Sequence, residues 1–232
     1  MCGRASLTKT EKELEERFQA AFYTEDLERY RPLPSFNIAP THFHPILSSE
    51  DTDHFKYMKW GLIPSWAKDA KIGPKMINAR VETLLEKPMF KSALQYRRCL
   101  VPIDGFYEWK IISNKDKKPF RIVVQNGEVY SLAGIYDTWK DHNGQVINSF
   151  SIITLESNTM MKELHGRMPA ILHQSEEKQW IDLDMNIETA MSMIKPYPSE
   201  LMSAYPVSSK VNSVANNDED LIKIQKPENT LF

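Results

Sequence analysis

The chain has 232 residues, 41% hydrophobic and 10% aromatic, enough to bury a sizeable core as one domain or two small ones. Its formal net charge of −2 excludes a surface coated in positive charge, so a nucleic-acid partner would need a local basic groove. No apolar run approaches the roughly 18 residues of a membrane span and no basic segment leads into an apolar one at the N-terminus, so the chain is expected to be neither membrane-bound nor secreted.

In chain order, Thr8 followed by Glu11 matches a capping box, and Leu14, Phe18 and Phe22 fall at helical spacing, which predicts an amphipathic helix over 9–22. The stretch "RYRPLPSFNIAPTHFHPIL" has too many prolines for a helix and is expected to run as extended chain and turns across the surface. Strand patterns follow near "FKYMKWGLI", "RCLVPIDGFYEW", "PFRIVV", "VYSLAGIYDTW" and "INSFSIITL". Asn126-Gly127 and Asn143-Gly144 lie between such runs and predict hairpin turns of type I′. Helices are expected over 88–96, 159–164, 175–183 with Ser175 as N-cap, and 187–194. The sum is an α+β chain with a largely antiparallel sheet system and neither repeat nor linker. By composition the polar "SSKVNSVANNDEDLIKIQKPENTLF" reads as a mobile tail.

The two cysteines, Cys2 and Cys99, cannot build a disulfide framework, and spacings of the CxxC metal type are absent, so neither metal nor other cofactor is expected. Cys2 directly follows the initiator methionine. Loss of Met1 would leave an α-amine and a thiol on one residue, a 1,2-aminothiol that no internal cysteine offers; the bland alternative is an accident of an unimportant terminus. In "PIDGFYEW", Glu108 shares a strand face with Phe106, where partial desolvation would suit a carboxyl to proton transfer; the alternative is a solvent-facing glutamate on an edge strand. "HGRMP" places His165 near Arg167, a proton shuttle beside a phosphate-type donor, at the expected end of a helix. In "NAR", Asn78 and Arg80 face the same way if the chain is extended. Of Trp60 and Trp66 around the "LIPSW" turn, one is expected in the core, and an exposed one would be a stacking platform for a base. Cys99, in an apolar strand, reads as a small buried hydrophobe.

Taken together, "MCGR", "FNIAPTH", "WGLIPSWAKD", "INARVETLLEKPMFK", "RRCLVPIDGFYEWK", "HGRMPAIL" and "YPVSSKVNSVANNDEDLI" closely resemble the SRAP (SOS response-associated peptidase) family, also described as abasic-site processing proteins. The resemblance spans almost the whole chain and implies one compact α+β SRAP-type domain over 1–225, with a barrel-like antiparallel sheet system and peripheral helices. It replaces the compositional reading of the C-terminal stretch, leaving only 226–232 as a tail. It further implies a covalent crosslink to abasic sites in single-stranded DNA through Cys2 after loss of Met1. Asn78, Glu108 and His165 match the family's catalytic positions. Arg4, Arg80 and Arg167 match positions that resemble phosphate contacts, and Pro40 and Trp66 match groove segments that meet bases. "TLESN" at 154–158 departs from the family's usual "TTEAN", which puts only the local packing in question. A monomer is expected, cytoplasmic and nucleoid-associated if bacterial, with replication-fork proteins as further partners; strand cleavage by lyase chemistry stays open. Rival readings are an N-terminal-nucleophile amidohydrolase of the kind that begins "MCG", a thiol peptidase that removes its own Met1, and a non-covalent single-stranded DNA binder.

Overall fold

The computed structural model describes residues 2–113 and 116–225; Met1 and the expected tail over 226–232 lie outside them. Thirteen strands are described: β1 Ala5–Leu7, β2 Ala21–Phe22, β3 Ser35–Ile38, β4 Phe43–Ser48, β5 Asp51–Trp60, β6 Asn78–Arg80, β7 Arg98–Ile103, β8 Gly105–Ser113, β9 Asp116–Val124, β10 Tyr130–Lys140, β11 Val146–Glu156, β12 Arg167–Pro169 and β13 Met202–Pro206. The α-helices are short: α1 Glu11–Phe18, α2 Thr24–Arg29, α3 Pro88–Tyr96, α4 Thr159–Lys162, α5 Gln174–Ile181 and α6 Ile187–Ser192.

Strands β11, β10, β7, β4 and β5 pair in that order, and β5 pairs back onto β11, closing a five-stranded barrel. An odd number of strands cannot close with antiparallel pairs alone. The parallel step is β5–β11, with Phe150 opposite Trp60. β12 and β6 extend the barrel from β11, and β2 extends it from β5. A second, antiparallel sheet runs β13-β9-β8-β1-β3. The chain crosses from the barrel to this sheet at Asp104, between β7 and β8, and returns through Asn126 and Gly127, both at positive φ (63° and 87°). Asn126-Gly127 is thus a crossover, and no hairpin joins β9 to β10. Asn143-Gly144 does join a hairpin, β10 to β11, but only Gly144 has positive φ (87°), and its N–H donates to the Asp141 carbonyl. That is a three-residue loop ending in a left-handed glycine, so the expected type I′ geometry is corrected.

Alternation along β8 splits its side chains between two cores. Phe106 joins the large core with the barrel, while Tyr107 joins a small one with Phe36, Val207, Val211 and Leu221. The polar C-terminal segment therefore covers the outer face of the second sheet. Asn217 Oδ1 accepts the Phe36 and Asn37 N–H groups of edge strand β3 at 2.8 and 3.0 Å, and Asn37 Nδ2 donates to the carbonyls of Val211, Ser213 and Asn216. Residues 208–225 are held by side-chain amides and by a few widely spaced apolar residues, Val211 and Leu221, with no regular apolar pattern, which is why composition alone misreads them.

Further expectations need correction. The first helix spans only Glu11–Phe18, because Gln19 turns left-handed at φ 55°; Phe22 sits in β2, stacked on Phe55 at 4.6 Å. Its capping box is Thr10 with Glu13, whereas Thr8 bonds Asp104. The cap of α5 is His173 with Glu176, not Ser175. The proline-rich segment holds two strands, β3 and β4, with a buried run at Phe36–Ala39. β4 meets β7 only at Leu47 and Ser48, so Pro45 sits where the strand has one neighbour and the missing N–H costs little.

Candidate active site

Cys2 leads directly into β1, the strand between β3 and β8, and its side chain is fully buried. Three devices hold that strand. Its Ala5 pairs with Ile38 on one side and Phe106 on the other, and the Tyr107 N–H donates to the Arg4 carbonyl at 2.9 Å. Beneath it, buried Asp104 accepts from Ser6 Oγ and from the N–H and hydroxyl of Thr8, and forms a 2.8 Å ion pair with Arg121. The Asp104 N–H closes the loop by donating to the Ser6 carbonyl.

Asn78 lies on β6, in parallel register with Ile152 of β11, and its Nδ2 donates to the Cys2 carbonyl at 2.9 Å. Its Oδ1 is buried with no hydrogen-bond partner among the described residues. A buried acceptor without a donor is uncommon enough to mark a place where a ligand or reacting group docks. Glu108 is 4% exposed and lies in the interior of the second sheet, not on a solvent-facing edge. Burial first, and then the Glu108 charge, push the Cys2 thiol up to about 12, while an N–H bond from Arg4 opposes them. Cys2, Asn78 and Glu108 therefore share one electrostatic environment.

Tyr130 belongs to the same environment. Its hydroxyl is buried, lacks a partner among the described residues, and is pushed well above its ordinary range by burial and then by Cys2. A tyrosine in a strand reads as core, so nothing in the sequence singles it out.

The C-terminal end of β11 gathers the remaining polar residues. At Thr154 it has β6 on one flank, at Arg80, and β12 on the other, at Pro169. Arg80 is exposed; Arg167 forms a bidentate pair with Glu82 and also donates to the Thr154 carbonyl at 2.7 Å. His165 sits in the turn before β12, where its carbonyl accepts from Ser157 Oγ at 2.6 Å. The Arg167 N–H donates to His165 Nδ1 at 2.9 Å, shorter than the 3.2 Å between Nδ1 and the Arg167 carbonyl, which favours the tautomer protonated at Nε2. Asn158 caps α4 through Met161 N–H at 2.9 Å, so the "TLESN" departure leaves this turn well bonded.

Arg4 is half-buried. It donates to Asn37 Oδ1 at 2.8 Å and to the Val211 carbonyl, and its guanidinium lies 5.8 Å from the Trp109 ring centre. This structural use ties β1 to the C-terminal segment, a connection of which sequence spacing gives no sign. Pro40 occupies a half-buried turn before Thr41, which has φ 75°. Trp60 is core, stacked on Phe150 at 6.2 Å, whereas Trp66 is 63% exposed. Among the described residues, no three His, Cys, Asp or Glu side chains are grouped as a metal ion would require, and no helix is long and apolar enough to cross a membrane. Two cavities, of about 800 and 280 Å3, lie away from Cys2.

The chain is similar in sequence to Abasic site processing protein YoaM of Bacillus subtilis strain 168, at 40% identity over 228 residues, 96% of this chain and 97% of that protein. It is 33% identical over 225 residues to Abasic site processing protein HMCES of Xenopus tropicalis, covering 83% of this chain and 66% of that protein. In structure it is similar to a crystallised protein of Bacteroides thetaiotaomicron, with a TM-score of 0.87 and 28% identity over 97% of this chain and 100% of that one. A family model described as SOS response associated peptidase (SRAP) matches residues 1–214. The chain belongs to the SOS response associated peptidase (SRAP) family.

Proposed function

We propose that this protein processes abasic sites in single-stranded DNA by capturing the lesion's aldehyde on Cys2 after loss of Met1. The observation that carries the reading is the clamp on Cys2: its carbonyl is fixed by Asn78 while its thiol is buried within the field of Glu108. The abasic-site names of the relatives support the same substrate.

The order of bond formation follows from the thiol. Raised above its ordinary range by burial, it is protonated at neutral pH, whereas an α-amine with a reference pKa near 8 has a usable neutral fraction. The amine therefore attacks the open-chain aldehyde carbon, giving a carbinolamine that loses water to form an imine. The thiol sulfur then adds to the imine carbon and its proton passes to the ring nitrogen, closing a five-membered thiazolidine with one water lost overall. Closure is intramolecular and gains accordingly in effective concentration. His165 transfers a proton at the sugar ring oxygen during opening, Glu108 moves protons at the amine and carbinolamine, and the partnerless Asn78 Oδ1 accepts from the amine or the sugar. Arg4, Arg80 and Arg167 contact backbone phosphates, Arg167 by exchanging Glu82 for a phosphate, and Pro40 and Trp66 meet bases.

Intact-mass spectrometry of the adduct on an oligonucleotide with one abasic site tests this. The expected mass is protein without Met1, plus oligonucleotide, less one water. An adduct retaining Met1 would contradict the reading.

A further inference from the structure

Most arginines of this chain are committed internally, to Glu177, Asp137, Asp104 and Glu82 or to carbonyl groups. Among the described residues Arg29, Arg31 and Arg80 make neither a salt bridge nor a side-chain hydrogen bond. Arg80 stands two residues beyond Asn78. Arg29 and Arg31 line the 280 Å3 cavity together with residues of β3 and β4.

That cavity carries a graded set of rings. Tyr57 is buried, Tyr30 stacks on it at 4.8 Å and 15°, and Phe43 lies 4.7 Å from Tyr30 with 41% of its surface exposed. The Arg29 guanidinium sits 5.4 Å from the Tyr30 ring centre. Two neighbouring carboxylates each accept a backbone N–H: Glu11 that of Leu33 at 2.7 Å and Asp26 that of Tyr57 at 3.2 Å. One strand pairing links the cavity's lining to β1, the strand that Cys2 leads into. Ile38 lines the cavity and pairs with Ala5, the residue after Arg4, and adjacent strands lie about 5 Å apart. Half-buried His42, which also lines the cavity, feels the charges of both Arg4 and Arg31, each lowering its pKa after burial.

The segment that presents His42 and Phe43 is strained and fixed. Thr41 holds φ 75°, an outlier for a β-branched residue, and is pinned by its N–H to the Trp60 carbonyl at 2.8 Å and by the Trp60 N–H to the His42 carbonyl at 2.9 Å. Strain of this kind persists where the surroundings over-determine it and concentrates at ligand-binding positions.

We infer that this cavity is a nucleotide subsite, in which Arg29 and Arg31 take a backbone phosphate and Phe43 stacks a base of the single strand next to the nucleotide held at Cys2. The inference rests on a strand reaching Cys2, yet its binding is separable from the covalent step. The test uses full-length Cys2→Ala protein and a fluorescent single-stranded oligonucleotide without an abasic site, titrated by anisotropy across a salt series. Arg29→Ala with Arg31→Ala should weaken binding and flatten the dependence of log affinity on log salt by about 0.7 for each phosphate no longer neutralised. Phe43→Ala should weaken binding at least about fivefold with the slope unchanged, and Phe43→Trp should restore it. Affinity and slope equal to those of the parent in both the double variant and Phe43→Ala would overturn the subsite, whatever native protein does with abasic DNA. Failure of native protein to crosslink, together with these losses of binding, would overturn the Cys2 chemistry and leave the subsite standing.

Discussion

Cys2 and Cys99 are both fully buried free thiols, and burial pushes the ionisation of both upward. They differ in what else surrounds them. Cys99 sits in barrel strand β7, opposite Gly134, where an added Cβ would come within 2.8 Å of its sulfur, and burial is the whole cause of its shift. Around Cys2 stand the Glu108 charge, the partnerless acceptor of Asn78 and the partnerless hydroxyl of Tyr130. Burial alone makes an inert thiol; burial beside a charge and beside the partnerless atoms of Asn78 and Tyr130 makes a site ready to accept something.

The largest effect expected from breaking this contrast is at Asp104, which anchors β1 without touching Cys2. Removing one partner of a buried pair costs about 3–5 kcal/mol, so Asp104→Ala should lower the denaturation midpoint strongly. Alkylation of the native variant should then reach Cys2 well before Cys99; equal labelling would mean that the Asp104 network does not hold the Cys2 strand.

Next in size is a pH effect on the barrel side. His44 of β4 is buried and held down to about 4 by burial, against its bond to the Pro102 carbonyl at 2.7 Å. The unfolded chain takes up this proton near 6.5 and the folded one only near 4, so stability is lost as pH falls through that window, by about 3 kcal/mol in all. Thermal melts from pH 7 to 4 should show the loss, and His44→Phe should diminish it. A loss of the same size in that variant would assign it to other groups.

A smaller effect concerns Glu108. Glu108→Gln removes the second cause of the Cys2 shift, so thiolate absorbance at Cys2, followed in a Cys99→Ala background, should appear at lower pH, while still well above the ordinary thiol range because burial remains. An unchanged titration would detach Glu108 from Cys2.

The barrel strands are legible in the sequence because β-branched and aromatic runs alternate cleanly, as in "VYSLAGIYDTW" and "INSFSIITL". β3 and β4 are hidden by prolines that a strand with few neighbours tolerates, and the C-terminal segment by a polar composition whose amides turn inward on β3. Overlapping Thr-x-x-Glu patterns at Thr8 and Thr10 explain the misplaced helix start: Asp104, 96 residues away, claims Thr8. The motifs name Cys2, Asn78 and Glu108, but only tertiary structure reveals Tyr130 beside them, or that Arg4 and Arg167 are engaged inside the molecule while Arg29 and Arg31 are not.

The central claim is tested most directly by incubating native, Cys2→Ala, Cys2→Ser and Cys99→Ala proteins with a single-stranded oligonucleotide carrying one abasic site and resolving the heated products on a denaturing gel. Native and Cys99→Ala proteins should give a heat-stable shifted band, Cys2→Ala none, and Cys2→Ser none that survives heating, since a hydroxyl cannot close the thiazolidine. A heat-stable band from Cys2→Ala or Cys2→Ser, or its absence in a folded Cys99→Ala protein, would contradict the assignment of the chemistry to Cys2.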